Sequence, residues 1–309
     1  MKIILANPHG FCAGVDRAVE IVNQVLRKHP QSTIYVLHEV VHNKYIINNF
    51  KTQGVIFVKE IANVPDNNIL IFSAHGVPKY FYTLAQSKNL IIYDATCPLV
   101  SKVHQEVIRA DRNNVKTILI GHRNHPEVIG TLGQYTKKGS IFLIEKKEDI
   151  DFLPIAIDED LYYVTQTTLS IDDTIDIVNA LKRKFINIKG AKKQDICYAT
   201  TNRQEAVKAL SAHSEIILVL GSKNSSNSTR LKETGEKYGV NSYLIDSYKE
   251  IDNKWLEGVE NIGITAGASA PEILVEEAIE YLQSIGYDEL ITIETEIEDA
   301  IFNLPKELQ

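Results

Sequence analysis

The chain has three cysteines, Cys12, Cys97 and Cys197, and each stands at the same kind of junction. An apolar extended run precedes each cysteine, and a stretch with helical periodicity follows it. Thiolates bind metal ions, and soft sulfur ligands favour zinc, copper(I) or iron–sulfur clusters. A 4Fe–4S cluster usually takes four thiolates, so three would leave one iron open. The alternative is three inert buried cysteines, which their equivalent polar junctions argue against.

Proline follows Cys97 directly, at Pro98. Because proline is favoured at the first position of a helix, Cys97 is predicted to cap a helix there. The positive end of the helix dipole favours the thiolate form of a cysteine in this place.

Polar loops with anion-binding groups accompany these junctions. Backbone N–H groups at helix N-termini, together with hydroxyls, amides and imidazoles, form phosphate-binding sites. Any single serine in such a place is more simply explained as a helix cap. Capping does not explain three histidines in comparable loops, so the set as a whole predicts an anion site. Its members are His42, His75, His125, Ser225, Ser226, Asn227 and Ser269. No Walker loop and no G-x-G-x-x-G motif occurs, so nucleotide binding is not predicted.

One carboxylate lies within the polar loops, at Glu127, two residues after His125. An enclosed glutamate can have a raised pKa and act as a general acid. Thr167 and Thr168 are placed to relay or orient the proton. The alternative for Glu127 alone is an ordinary surface residue.

The segment His38-Glu39-Val40-Val41-His42 matches the H-E-x-x-H signature of metalloproteases. That chemistry needs both histidines on one face of a helix. Here the segment follows an apolar run and contains two adjacent valines, so it is predicted to be a strand that runs into a loop. Residues four apart on a strand are about 13 Å apart, too far to bind one zinc ion.

The elements around these residues repeat three times along the chain, which is the signature of a repeat architecture. Each unit has a cysteine–helix junction and two strands that end in polar loops. The first loops are HEVVHN, GHRNHPE and GSKNSSNS, and the second are SAHGVP, TQTTLS and TAGASAP. The predicted lobes are residues 1–96, 97–196 and 197–309, the last including a C-terminal tail. The strand in residues 1–11 belongs either to the first lobe or to the third, and its counterparts favour closure of the third.

Continuous apolar strands that alternate with amphipathic helices indicate parallel sheets covered on both faces. In such sheets ligands bind beyond the carboxyl ends of the strands, where these loops lie. We therefore predict an α/β fold of three similar lobes with mostly parallel sheets around a pseudo-threefold centre. All three cysteines and all six loops would point to that centre.

Composition narrows the class of protein. The 309 residues are 44% hydrophobic, which suffices for a substantial core. A net charge of −7 offers no basic surface for nucleic acid. No segment approaches the roughly 20 apolar residues that a membrane span needs. Three widely spaced cysteines do not form a secreted disulfide framework. We expect a cytoplasmic protein with no nucleic-acid or membrane partner, and a monomer.

The chain closely resembles the 4-hydroxy-3-methylbut-2-enyl diphosphate reductases of the LytB/IspH family. The matching segments run in order along nearly the whole chain: LANPHGFCAGVDRAV, HEVVHN, FSAHGV, DATCPLVSKVH, GHRNHPE, TQTTLS, CYATTNRQEAV, GSKNSSNS and TAGASAP. The resemblance implies an iron–sulfur reductase that dehydroxylates an allylic diphosphate to isopentenyl and dimethylallyl diphosphate, at the last step of the non-mevalonate isoprenoid pathway. It implies one 4Fe–4S cluster held by Cys12, Cys97 and Cys197, with one open iron.

The same resemblance assigns roles to individual residues. It gives proton delivery to Glu127 and orientation of the substrate hydroxyl to Thr167. It gives the diphosphate to His42, His75, His125, Thr168, Ser225, Ser226, Asn227 and Ser269. It implies a ferredoxin or flavodoxin as electron donor. His9 is a small departure, since the family more often has arginine or lysine there.

Two other classes of function stay open on the sequence alone. A zinc hydrolase would contain stoichiometric zinc and no iron. A metal-free module that binds a diphosphate would keep its ligand affinity when Cys12 is replaced by serine.

Overall fold

The computed structural model describes residues 1–137, 139–191 and 194–309. Its strands are β1 (Lys2–Asn7), β2 (Ile34–Leu37), β3 (Ile56–Val58), β4 (Ile69–Phe72), β5 (Ile91–Asp94), β6 (Lys116–Ile120), β7 (Ile141–Ile144), β8 (Leu161–Thr165), β9 (Ile188–Gly190), β10 (Ile216–Leu220), β11 (Asn241–Ile245), β12 (Asn261–Ala266) and β13 (Glu289–Glu294). Its α-helices are α1 (Ala13–Lys28), α2 (Lys44–Thr52), α3 (Tyr80–Ser87), α4 (Pro98–Arg112), α5 (Pro126–Leu132), α6 (Ile171–Lys184), α7 (Tyr198–Ser211), α8 (Ser226–Lys237) and α9 (Glu272–Ser284).

The chain divides into two compact units. Unit one comprises Met1–Asp16, Val41–Gln53 and Tyr198–Ile301. Unit two comprises Arg17–Val40, Gly54–Cys197 and Phe302–Gln309. This division does not follow the three predicted lobes, whose boundaries stay a prediction.

Unit one contains a five-stranded sheet in the order β11-β10-β12-β1-β13, with parallel pairing throughout. Alternate side chains of a strand point to opposite faces of its sheet. In β1, Ile3 therefore packs into one apolar core together with Leu218, and Ile4 packs into a second core together with Ile217. Both faces are buried, as expected for a parallel sheet.

Unit two contains two four-stranded sheets, β3-β2-β4-β5 and β7-β6-β8-β9, and their pairings are also parallel. Strand β4 is a continuous apolar run, and all four of its residues are buried. Helices pack against these sheets. In α4, the buried residues Val103 and Val107 are one helical turn apart and share an apolar core with Leu119 of β6 and Val164 of β8.

The three sheets share one strand order, which confirms the prediction of three α/β lobes with parallel sheets. In each sheet the fourth strand leads to a cysteine: β5 precedes Cys97, β9 precedes Cys197, and β1 precedes Cys12. The strand at the start of the chain therefore lies in the third-lobe sheet. Strand β13, on the other side of β1, has no counterpart in the two other sheets and was not predicted.

The segment with the H-E-x-x-H pattern is not helical. Strand β2 ends at Leu37, and residues 38–43 form an irregular loop before α2. His38 has a left-handed backbone with φ of 60°. The geometry that a metalloprotease helix needs is therefore missing from this segment. Among the described residues, no helix is long and apolar enough to span a membrane.

Candidate active site

All three cysteines stand immediately before the first residue of a helix. Cys12 precedes α1, Cys97 is the N-cap of α4, and Cys197 precedes α7. The carbonyl groups of Cys12 and Cys97 accept the first helical hydrogen bonds, from Asp16 N and Ser101 N, each at 2.9 Å. None of the three forms a disulfide, and each is partly exposed. The cysteine–helix junctions expected from the sequence are therefore present.

In unit one, the loop before Cys12 contacts a fully buried arginine, Arg203 of α7. Its guanidinium donates to the carbonyls of Gly10 (2.8 and 3.0 Å) and Phe11 (3.1 Å). Burial raises the pKa of the Cys12 thiol, and the Arg203 charge and the N–H groups of Val15 and Gly14 oppose that effect. The Cys12 environment thus combines desolvation, which disfavours the free thiolate, with groups that favour it.

His9 lies on the same loop. Its Nδ1 is 2.6 Å from the carbonyl of Ala6, and its Nε2 is 3.2 Å from both carboxylate oxygens of Glu272. Both ring nitrogens of His9 therefore lie within hydrogen-bond distance of oxygen atoms, which fixes the ring against Ala6 and Glu272.

Five of the predicted diphosphate residues come together in unit one. Helix α8 begins at Ser226 and has Ser225 as its N-cap. The Ser269 hydroxyl donates to the carbonyl of His42 at 2.9 Å and lies 3.5 Å from Ser225 Oγ. Asn227 Oδ1 accepts from the backbone of Ala268 at 2.8 Å. The polar groups are therefore linked to one another at the start of α8, where the dipole favours an anion.

Two glycines allow the first turn of α8 to lie against the ends of its strands. Gly221 follows β10 and Gly267 follows β12. A Cβ atom at either position would lie 2.2 Å or 2.0 Å from Ser228 Oγ, which is a severe overlap. The glycines of the segments GSKNSSNS and TAGASAP therefore allow the close packing of Ser225, Ser228 and Ser269.

In unit two, Glu127 is buried, with 3% of its surface exposed. Thr167 binds both of its carboxylate oxygens: the backbone N–H donates to Oε1 at 2.6 Å, and the hydroxyl donates to Oε2 at 2.9 Å. Burial raises the pKa of Glu127 to about 7, although both Thr167 hydrogen bonds lower it. A carboxyl group with such a pKa can exchange a proton at neutral pH.

Two of the predicted histidines lie close together in unit two, and one of them contacts the backbone of Glu127. The rings of His75 and His125 are 5.8 Å apart in an edge-to-face arrangement. His125 is the N-cap of α5, and its Nδ1 accepts from the backbone N–H of Glu127 at 3.2 Å. Because Nδ1 is an acceptor, a neutral His125 has its proton on Nε2.

The loop after β8 joins the predicted threonines to a cysteine. The Gln166 side chain donates to the Thr168 hydroxyl at 2.9 Å and accepts from the backbone of His122 at 3.0 Å. The carbonyl of Thr167 accepts from the backbone N–H of Cys197 at 3.0 Å. In the same way, Cys97 N donates to the carbonyl of Ala74, the residue before His75.

Several residues of these networks were not singled out from the sequence, namely Gln166, Asp195, Thr200 and Arg203. The family-like segments TQTTLS and CYATTNRQEAV contain Gln166, Thr200 and Arg203. Membership of these segments was the only feature of the sequence that could have indicated a role for them. Thr200 accepts from Asn227 Nδ2 at 3.4 Å, and Asp195 accepts from the backbone of Thr165 at 3.2 Å. Asp195 had no signal, because its burial depends on contacts that are distant in sequence.

The donor set suits a sulfur-ligated cluster, since three cysteines outside any disulfide have equivalent backbone positions at helix starts. Cys12 belongs to unit one, and Cys97 and Cys197 belong to unit two. In the described part of the chain, no three histidine, cysteine, aspartate or glutamate side chains are gathered around a position for a single metal ion. In a cluster, by contrast, each thiolate binds a different iron.

Comparisons with known proteins agree over the whole length. The family model for the LytB protein matches residues 3–283. A curated 4-hydroxy-3-methylbut-2-enyl diphosphate reductase from Actinobacillus pleuropneumoniae serotype 3 (strain JL03) is 54% identical over 310 residues, covering 100% of this chain and 98% of that protein.

Two solved structures are also similar. The E-1-hydroxy-2-methyl-but-2-enyl-4-diphosphate reductase of Plasmodium falciparum matches with a TM-score of 0.96 at 38% identity, covering 99% of this chain and 96% of that one. An (E)-4-hydroxy-3-methyl-but-2-enyl diphosphate reductase, named as the terminal enzyme of the non-mevalonate pathway, matches with a TM-score of 0.66 at 33% identity, covering 92% of this chain and 100% of that one.

Proposed function

Since the chain belongs to the LytB protein family, we propose that it is a 4-hydroxy-3-methylbut-2-enyl diphosphate reductase. It acts at the last step of the non-mevalonate isoprenoid pathway, as the similar solved enzyme does. The full-length match confirms the family that the sequence motifs indicate. The reaction consumes two electrons and two protons, replaces the allylic hydroxyl by hydrogen, and releases water. Its products are isopentenyl and dimethylallyl diphosphate.

The observation that carries this function is the enclosed Glu127. The leaving oxygen must be protonated to depart as water, which requires an acid that still holds its proton at neutral pH. Glu127, with a pKa of about 7, meets this requirement. When Glu127 is protonated, its O–H can donate to the Thr167 hydroxyl, whose own hydrogen then turns outward. Thr167 thereby orients the substrate hydroxyl and passes the proton on.

The diphosphate is the part of the substrate that the polar residues bind. In unit one, Ser225, Ser226, Asn227, Ser269 and His42 present hydroxyl, amide and imidazole groups at the start of α8. In unit two, His75, His125 and Thr168 contribute donors. The Nε2–H of a neutral His125 is one such donor, because its Nδ1 is already an acceptor.

Cys12, Cys97 and Cys197 would hold one 4Fe–4S cluster, and three ligands would leave one iron open. The absence of disulfides among them and their equivalent positions at helix starts support this assignment. When bound, the cluster supplies electrons and Lewis acidity for cleavage of the allylic C–O bond. A ferredoxin or flavodoxin delivers the electrons, and the enzyme acts in the cytoplasm as a monomer.

The test is purification and reconstitution without oxygen, followed by determination of iron and sulfide and an assay of turnover. The assay supplies the allylic diphosphate and a reduced viologen dye as electron donor. We expect brown protein with close to four irons per chain and formation of both products. Colourless protein with stoichiometric zinc and no turnover would contradict the proposal and favour a hydrolase. Replacement of Cys12 by serine should reduce iron content, whereas a metal-free binding module would be unaffected.

A further inference from the structure

A cation holds the backbone just before each of the three cysteines. Before Cys12, the guanidinium of Arg203 donates three hydrogen bonds to the carbonyls of Gly10 and Phe11. Before Cys97, Arg17 Nη1 donates to the carbonyl of Thr96 at 3.1 Å. Each of these contacts lies within one compact unit.

The third loop is held in the same manner. Before Cys197, Lys102 Nζ donates to the carbonyl of Gln194 at 3.1 Å. Hydrogen bonds from charged donors are stronger than those between neutral groups. All three cysteine loops are therefore fixed by a charged side chain.

Each of the three cations lies on the helix that follows one cysteine and binds the loop before the next cysteine, in cyclic order. Arg17 lies on α1, which begins after Cys12, and it holds the loop of Cys97. Lys102 lies on α4, which begins after Cys97, and it holds the loop of Cys197. Arg203 lies on α7, which begins after Cys197, and it holds the loop of Cys12. In each case the cation stands five or six residues after its own cysteine.

Each cation has a further partner that fixes its direction. Arg203 pairs with Glu298 at 2.8 Å, and Lys102 pairs with Asp195 at 3.3 Å. Arg17 Nε donates to the carbonyl of Asn303 at 2.8 Å. Both Glu298 and Asn303 lie in the irregular segment after β13, which gives this C-terminal segment a role in holding the cysteine loops.

A neutral donor could satisfy these carbonyls too. At Arg203, whose side chain is 1% exposed, burying the charge costs free energy that its hydrogen bonds must offset, so the pair with Glu298 is weak evidence for stability alone. The recurrence at all three junctions points to the common element, the cysteine.

We infer that Arg17, Lys102 and Arg203 are positioning residues, which set the three cysteine-bearing loops in the geometry that retains the cluster. This inference rests on the proposed function. Residues behind the direct ligands of a metal site orient those ligands, and their loss commonly weakens metal binding about 10–100-fold.

The sharpest test uses Lys102, whose side chain is one-third exposed and whose partner can be neutralised with it. The double variant Lys102→Met/Asp195→Asn removes both charges, so no buried carboxylate is left unpaired. The asparagine oxygen can still accept from Thr165 N. We expect the metal-free double variant to melt close to wild type, yet to release iron to a ferrous chelator about 10–100-fold faster under anaerobic conditions. Lys102→Arg, which keeps a charged donor, should restore retention.

Arg17→Met should also accelerate iron release. Arg203→Lys should accelerate it less than the double variant Arg203→Met/Glu298→Gln.

Matched controls are Arg27→Met on α1 and Arg109→Met on α4, whose side chains are 67% and 68% exposed. Both should retain iron like wild type. Wild-type iron release from the Lys102 double variant and from Arg17→Met would overturn the inference. So would a loss that tracks melting temperature across all variants. If wild type itself binds no cluster and does not turn over, the proposed function fails instead.

Discussion

The polar residues at the start of α8 in unit one and those around Glu127 in unit two are of similar types, but they suit different tasks: anion binding in the first region and proton transfer in the second. At the start of α8, the Ser228 hydroxyl donates to the Ser225 hydroxyl, and Ser269 Oγ lies 3.5 Å from Ser225 Oγ. The Asn227 side chain accepts from the backbone. These groups are all neutral, and none of them is a carboxylate. Around Glu127, one threonine binds both oxygens of a single buried carboxyl group. The first arrangement suits an anion of fixed charge, because its donors are positioned at a helix N-terminus. The second suits proton transfer, because burial raises the pKa of the acid.

The largest expected effect is on turnover, in the variant Glu127→Gln of unit two. Glutamine keeps the shape but carries no transferable proton, so turnover should fall about 10²–10⁴-fold while iron content stays at the wild-type value. Steady-state kcat and iron determination check this. Glu148→Gln, at an exposed carboxylate of the same unit, is the control and should turn over normally. Normal turnover of Glu127→Gln would remove the acid role.

The next difference is in the pH dependence of stability. Because burial raises the pKa of Glu127 from 4.5 to about 7, the folded chain keeps a proton that the unfolded chain releases between these values. This stabilising contribution is complete below about pH 4.5 and is lost as the pH rises through 7, with an upper limit of about 3 kcal/mol. Denaturant unfolding of wild type and Glu127→Gln at pH 4.5 and pH 8 checks the difference. Parallel pH profiles would show that Glu127 is not enclosed in solution.

For unit one, Ser225→Ala tests the anion site. Loss of a hydroxyl that binds a charged ligand should weaken substrate binding about 10–100-fold, with kcat changed less than in Glu127→Gln. Ser225 is also a helix cap, so melting should show a small loss of about 1 kcal/mol. Ser211→Ala, where the hydroxyl donates to Val207 within α7, is the matched control. An unchanged KM for Ser225→Ala would exclude Ser225 from the diphosphate site.

The smallest expected effect is a shift of the pH profile in Thr167→Val, which removes the hydroxyl bond to Glu127 and with it the proposed proton relay. That bond favours the ionised carboxylate, so its loss should raise the pKa of Glu127 further. The alkaline decline of kcat/KM, near pH 7 in wild type, should move to higher pH by less than about one unit. A shift to lower pH would mean that Thr167 stabilises the protonated acid instead.

Local sequence patterns determined much of the molecule. The apolar runs and helical periodicities around the three cysteines predict the strand–cysteine–helix junctions, because those patterns depend on neighbouring residues alone. The loop segments with His125, Glu127 and Ser225 likewise predict the polar residues that lie at the strand ends. Family membership followed from the same segments, since they match in order along the chain.

Tertiary structure decided three features that local patterns leave open. The sequence repeat favours a place for β1 in the third lobe, but its pairing with β12 and β13 depends on strands more than 250 residues away in the chain. The pKa of Glu127 depends on burial, which no local pattern expresses. Arg17, Lys102 and Arg203 resemble ordinary helix cations in sequence, and only the folded chain brings their charged groups to the carbonyls before the cysteines. Long-range pairing and burial are set by the packing of the whole chain, and for that reason they could not be predicted from its local patterns.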